Sequence, residues 1–354
     1  VKLEEEPKKI GNYFLHNAKI NYVSSGCELL DRALGGGMAQ NRVFHIVGGS
    51  GSGKSLQALE FAANFLILHP KGRVIYVDSE TAYDSGYADA LGIPADRIEI
   101  INIETVGKKP SIEDLHRLLK RTFVDGGINK EEILVVADSI DGLAVDKEML
   151  NSKAKDEDLH KQEYNTAKAF ALSKMFKNLN DPTCTNKGTL LLISQIRDNV
   201  GGGPFSAKSI YTGGKALLFY ASQQMWITET GKLKKTIKKS ERVYGTEIKC
   251  NVKKNRVGLP HRQVKLFIRY GFGIWDMYTN LMWLKDESRI NYSASYAKYE
   301  KANTKPTPLD FVNRVEDYED VEFFATNDEI NAAVNKAWNE IETSFLPKRR
   351  KYNN

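Results

Sequence analysis

The chain has 354 residues, 41% hydrophobic and 27% charged, with a net charge of +6 at pH 7. That is enough for one large domain or two ordinary ones of a soluble globular protein, and no apolar run approaches the roughly 18 residues that a membrane helix needs. Three distant cysteines, Cys27, Cys184 and Cys250, offer neither a disulfide framework nor a metal spacing, and a mild positive charge alone points only weakly to an anionic partner.

The chain opens on VKLEEEPKKI, acidic and basic from the start, which does not read as a signal peptide. Val1 stands where an initiator Met would, so processing or trimming of the first residues is expected. Five runs then read as buried strands: VFHIVG (43–48), RVIYVDS (73–79), ILVVADS (133–139), TLLLIS (189–194) and QQMWIT (223–228). They are apolar nearly throughout, as suits a sheet covered on both faces. Helical patterns separate them: SLQALEFAANFLILH after the first, SIEDLHRLLKRTFVD before the third and AKAFALSKMFKNLN before the fourth. The alternation predicts a doubly wound α/β core with a mostly parallel sheet. TEIKCNVKKNRV and QVKLFIRYGFGI read as later strands forming a hairpin.

After Asp276 the composition turns to Tyr, Asn, Lys and Glu, with a KPTP break at 305–308 and one amphipathic helix, NDEINAAVNKAWNEIETSF. The division expected is a short N-terminal arm at 1–35, a core at 36–275 and a small α-rich C-terminal appendage with a basic tail at 276–354. The stretch SQIRDNVGGGPFSAKSIYTGG, Ser194 to Gly214, has neither helix nor strand period. A structureless segment of this length inside a compact domain is either functional or a sign that an element there has been misassigned.

GGSGSGKS, covering Gly48, Gly49, Ser50, Gly51, Ser52, Gly53, Lys54 and Ser55, matches the P-loop pattern between a strand and a helix. The glycines let backbone N–H groups turn around a phosphate, and the helix N-terminus adds its partial positive charge. Lys54 would reach the β- and γ-phosphates of ATP and Ser55 would hold Mg²⁺. Asp138, ending an apolar strand, can orient Mg²⁺ through water or be a solvated strand-end acid. Glu80, just past another strand, could polarise an attacking water, a weak signal on its own because strand-end acids are common. Tyr87 reads either as a half-buried surface aromatic or as a platform for adenine. Between Lys232 and Arg256 ten Lys or Arg face only Glu241 and Glu247, either as solvated hairpin faces or as a phosphate-facing surface.

GTLLLISQIRDNVGGGPFSAKSIYTGGKALLFYAS, YVDSETAYDSGYADALGI, SSGCELLDRALGGGM and VYGTEIKCNVKKNRVGLP together resemble the RecA family of DNA strand-exchange recombinases. The likeness runs from about Ser24 to Ile274, and the acidic start and short arm look more like the phage UvsX type than the bacterial one. It implies a RecA-like P-loop NTPase core, with the N-terminal arm making subunit contacts. It implies a DNA-dependent ATPase, with ATP and Mg²⁺ as cofactors, that coats single-stranded DNA as a helical filament and exchanges strands with duplex DNA. It places the protein in the cytoplasm, a bacterial host's if phage-encoded, with single-strand-binding and loader proteins as further partners and no membrane.

At matching positions the resemblance makes Glu80 the activator of the attacking water, Tyr87 the adenine-stacking aromatic and Asp84 the acid near the adenine amino group. Gln195 becomes the sensor of the γ-phosphate and opens the second DNA-binding loop, near 196–212. Arg197, Val200, Gly201, Gly202, Phe205, Gly213 and Gly214 would contact DNA, with Val200 and Phe205 wedging between bases as sequence-tolerant stacking requires. A first DNA loop would lie near 149–158. Lys254 and Arg256 match a basic pair that reaches a neighbouring subunit's ATP, as an arginine finger does. A hexameric helicase motor of the same fold and a non-hydrolysing recombination accessory protein are the alternatives. No helicase-type N-terminal domain is seen, and an accessory protein need not keep the hydrolytic set.

Overall fold

A computed structural model describes residues 20–125, 132–145, 166–178, 188–198, 209–211, 214–289, 291–293, 296–298 and 321–346. The chain opens with β1 (Tyr22–Val23), α1 (Glu28–Leu34) and β2 (Met38–Ala39), then β3 (Val43–Gly48) and α2 (Lys54–Leu68). β4 (Arg73–Asp78), α3 (Ser85–Ala90), β5 (Ile98–Ile101), α4 (Ile103–Val106) and α5 (Ile112–Leu119) follow. Next come β6 (Ile133–Asp138), a helix α6 at 166–178, β7 (Gly188–Asp198), β8 (Ser209–Tyr211) and α7 (Gly214–Tyr220). β9 (Gln223–Ile237), β10 (Ser240–Asn255), β11 (Gln263–Arg269), β12 (Gly273–Ile274) and α8 (Asp276–Asp286) complete the core. A two-strand pair, β13 (Asn291–Ser293) and β14 (Tyr296–Lys298), and a helix α9 (Val321–Ser344) lie beyond it.

One ten-stranded sheet carries the molecule, in the order β12-β11-β10-β9-β3-β7-β6-β4-β5, with β8 paired to β7. The run from β9 to β5 is parallel, and β9 to β12 is antiparallel. The apolar strand runs have a physical cause here. Successive residues point to opposite faces, and both faces are covered. Phe44, Ile46, Val74, Tyr76, Leu134 and Val136 enter a core with α1 and α2. Val43, Ile75, Val77, Val135 and Ala137 enter a second core with α5, α6 and α7. Phe61 and Phe65 anchor α2 at 0% and 1% exposure, each contributing about 1.5–3 kcal/mol by burial.

Two expectations change in extent. The stretch from Ser194 is not wholly unpatterned, because β7 runs through Asp198 and β8 pairs back on it, Ile196 opposite Tyr211. The backbone satisfies its hydrogen bonds there without an apolar period to announce it. Likewise the strand that begins at Gln223 runs on to Ile237 and returns as β10. Its distal half is Lys-rich because little packs against it. Lys238 and Lys239 turn the hairpin at φ 48° and 68°, the left-handed pair that matches strand twist.

The C-terminal helix α9 seats on α1 and α8. Ile330, Val334 and Ala337 are buried in the α1–α2 core, Trp283 and Trp338 meet at 5.8 Å, and Arg262 pairs with Glu342. No helix among the described residues is long and apolar enough to cross a membrane.

Candidate active site

The site lies at the carboxyl edge of the parallel strands, where ligands bind in such sheets. β3 ends at Gly48 and the chain turns through Gly49–Gly53 into α2. Glycine is required at two places. A Cβ on Gly48 would lie 2.5 Å from Ser52 Oγ and 2.7 Å from the Ile227 carbonyl, and Gly53 takes φ 88° at the start of α2. Ser52 Oγ donates to the Gly49 carbonyl at 2.9 Å and braces the turn. Above Gly49 and Gly51 the space is open. A cradle of N–H groups beneath open space fits a phosphate chain.

Lys54 is only 7% exposed and donates to the Gly49 carbonyl at 2.5 Å. Burial lowers its pKa, opposed by Asp138, Glu80 and Asp141. Ser55 donates to Asp138, and Tyr76 donates to the same carboxylate at 2.7 Å. Burial nevertheless raises Asp138 above the usual carboxylate range. Ser55 and Asp138 are hard oxygen donors beside the phosphate cradle. Among the described residues no cluster of three or more His, Cys, Asp or Glu could hold a metal ion alone. This donor set fits Mg²⁺, which is commonly held by one or two protein oxygens together with phosphates and water.

Glu80 is held by a turn built on Asp78. The Asp78 carboxylate accepts from the N–H groups of Glu80 and Ala82, each at 3.1 Å, and of Tyr83 at 2.9 Å. Glu80 itself accepts from Ser139 Oγ at 2.6 Å and from Gln195 Nε2 at 3.1 and 3.2 Å on its two oxygens. The register places Gln195 beside Gly48 across β7 and β3. Lys54, Ser55, Asp138, Glu80 and Gln195, far apart in sequence, thus converge at one sheet edge. Ser139, Asp141 and Asp78 belong to the same constellation and escaped sequence reasoning. Their only signal was position next to strand-end acids already noticed.

Other expected residues stand elsewhere. Asp84 caps α3, accepting from the Tyr87 N–H at 3.0 Å. Tyr87 is half-buried, and its hydroxyl and Glu60 Oε1 both crowd Gly273. Burial and the nearby Glu60 charge raise its pKa. Lys254 and Arg256 follow β10 to the opposite edge of the sheet, since Asn255 pairs with Gln223 and Gln223 with Phe44. There Lys254 donates to the Leu218 and Phe219 carbonyls, and Arg256 to Phe219 at 2.9 Å, where cations favour a helix C-terminus. Burial and Arg256 lower Lys254 to about 8. Gly214 begins α7 and Arg197 lies in β7. Val200, Gly201, Gly202, Phe205, Gly213 and the 149–158 segment lie outside the described residues.

A phosphate cradle, a lysine, a serine–aspartate pair and a strand-end glutamate on a doubly wound sheet define a P-loop nucleotide-binding protein. The family model "RecA N-terminal domain" matches residues 8–275. The chain belongs to the RecA family, and the fold class expected from the sequence is borne out. It is 30% identical to Protein RecA of Rippkaea orientalis over 303 residues, 86% of this chain and 80% of that protein. It is 32% identical to Protein RecA of Nostoc punctiforme over 256 residues, 72% of this chain and 65% of that one. Against Protein RecA of Trichodesmium erythraeum the identity is 30% over 288 residues, 80% of this chain and 72% of that one. It is a RecA-type recombination protein.

Proposed function

We propose that this protein is a DNA-stimulated ATPase that forms helical filaments on single-stranded DNA and pairs and exchanges strands with a homologous duplex. One observation carries the reading: Gln195, on the strand that leads into the glycine-rich loop, touches Glu80 beside the P-loop. A single side chain thereby links the segment expected to bind DNA to the group expected to activate water.

In this reading the Gly48–Ser55 cradle and Lys54 bind the phosphates of ATP. Ser55 and Asp138 hold Mg²⁺, which when bound offsets phosphate charge. Glu80 takes a proton from water as the water oxygen bonds to the γ-phosphorus, and the bond to the bridging oxygen of ADP breaks. Asp84 and Tyr87 receive the adenine. Lys254 and Arg256 lie at the sheet edge opposite their own P-loop, which supports their acting on a neighbour's nucleotide. Residues 1–35 supply subunit contacts, 36–275 the ATPase core with its DNA loops, and 276–354 the C-terminal part. Likeness to the phage type rests on the sequence resemblance.

The test is ATP turnover with and without single-stranded DNA at fixed salt, since phosphate contacts are salt-dependent. Strong stimulation is expected, and Glu80→Gln is expected to lose turnover by about 10²-fold or more while still forming DNA-bound filaments. Unchanged hydrolysis in that variant would remove Glu80 from the role.

A further inference from the structure

The segment after β6 touches three parts of the site at once. Ser139 Oγ donates to Glu80 at 2.6 Å. The Ile140 N–H reaches the Ile193 carbonyl at 2.9 Å. The Asp141 carboxylate accepts from the Gln195 N–H at 2.8 Å. From the other side Lys168, on α6 and 4% exposed, donates to the carbonyls of Asp141 at 2.8 Å and Leu143 at 2.9 Å. The root of α6 and the end of β7 therefore meet on Asp141.

The geometry has a consequence for Glu80. Gln195 engages both of its oxygens and Ser139 engages one of them. Together they take up three of the roughly four acceptor positions of the carboxylate, so a water approaching as a proton donor competes with Gln195 and Ser139 for it. The described holds on the Gln195 backbone are the sheet register with β3 and the Asp141 carboxylate.

We propose that Asp141 is a positioning residue that keeps Gln195 seated on Glu80 in the resting protein, so that resting hydrolysis is slowed until the end of β7 rearranges. The proposal rests on the DNA-stimulated ATPase reading and adds to it the residue that sets the basal rate. Lys168 makes the hold depend on α6 as well, so that movement at the root of either expected DNA loop loosens it.

The experiment compares full-length wild type with Asp141→Ala, Asp141→Asn and Lys168→Met. Amide hydrogen exchange across Ser194–Asp198, without nucleotide or DNA, reads the hold directly. Exchange is expected to quicken by on the order of tenfold in Asp141→Ala, the scale of one hydrogen bond to a charged acceptor. Asp141→Asn keeps an acceptor oxygen and is expected to restore it, and Lys168→Met is expected to shift it in the same direction, which keeps the test alive where Asp141→Ala does not fold. In turnover, Asp141→Ala is expected to raise the DNA-free rate several-fold and to shrink the ratio of DNA-stimulated to free rate, whereas general structural damage would lower both. Unchanged exchange at Gln195, or faster exchange with an unchanged ratio, overturns the proposal. Wild type without DNA stimulation would instead overturn the ATPase reading, and exchange alone would then decide whether Asp141 holds Gln195.

Discussion

Glu60 sits on α2 with 8% exposure and accepts from the Ile274 N–H at 2.9 Å. Burial pushes its pKa from 4.5 up to about 7. The folded state therefore holds more protons than the unfolded chain between those values. Its favourable contribution is full below about pH 4.5 and is lost as pH rises through 7. Glu60→Gln keeps the acceptor and removes the titration. Relative to the wild type it is expected to gain on the order of 1–3 kcal/mol between pH 5 and pH 8 by urea unfolding; parallel curves would refute the assignment. His45 runs the other way. Fully buried between Ser194 at 2.9 Å and Gln224 at 3.0 Å, it is lowered to about 3. Its neutral form stabilises the fold above about pH 6.5, and that contribution is lost as pH falls toward 3. Neither residue stood out in the sequence, because burial that shifts a pKa is a property of the neighbours.

Among the elements, the β3–α2 unit carries the most consequence in the shortest span. Its pattern was readable in full, since a P-loop is a local contract between a strand end, its glycines and a helix start. A methyl added at Gly48 would meet the Ile227 carbonyl on β9 at 2.7 Å, and a central strand cannot retreat easily. Gly48→Ala is expected to cost about 1–3 kcal/mol in urea unfolding and to weaken ATP binding by distorting the cradle. Wild-type stability and affinity together would show that the strand ends can part. The long β9–β10 hairpin was legible only at its buried end. Its outer half, KLKKTIKKSER, is dense in Lys and Arg with few apolar residues, a composition that exposed loops share.

At the scale of the whole molecule, the two halves of the proposed chemistry occupy opposite edges of one sheet. The P-loop, Glu80 and Gln195 lie at the carboxyl ends of the parallel strands, and Lys254 and Arg256 lie at the other edge. A single chain cannot bring them together, so the site is complete only between subunits in this reading. Mixing Lys54→Ala protein with a Lys254→Ala/Arg256→Ala variant tests it. Each alone is expected to be nearly inactive on DNA. The mixture is expected to exceed their sum, because the first lends its cations to the intact P-loop of the second. No gain on mixing would place those cations in a purely intrachain role at the end of α7.

The α/β alternation, the P-loop, the strand-end acids and the family likeness were determined by the sequence alone, because each depends on residues close together in the chain or on a period the backbone imposes. What only the tertiary structure decided was juxtaposition. Strand order put β7 beside β3 and set Gln195 level with Gly48. It brought Ser139 and Asp141 to Glu80 and Gln195, carried Lys254 and Arg256 to the far edge, and folded α9 onto α1. These follow from which strands pair and which faces are covered, and hydrogen-bond register and burial are shared by residues tens to hundreds of positions apart, where no local pattern records them.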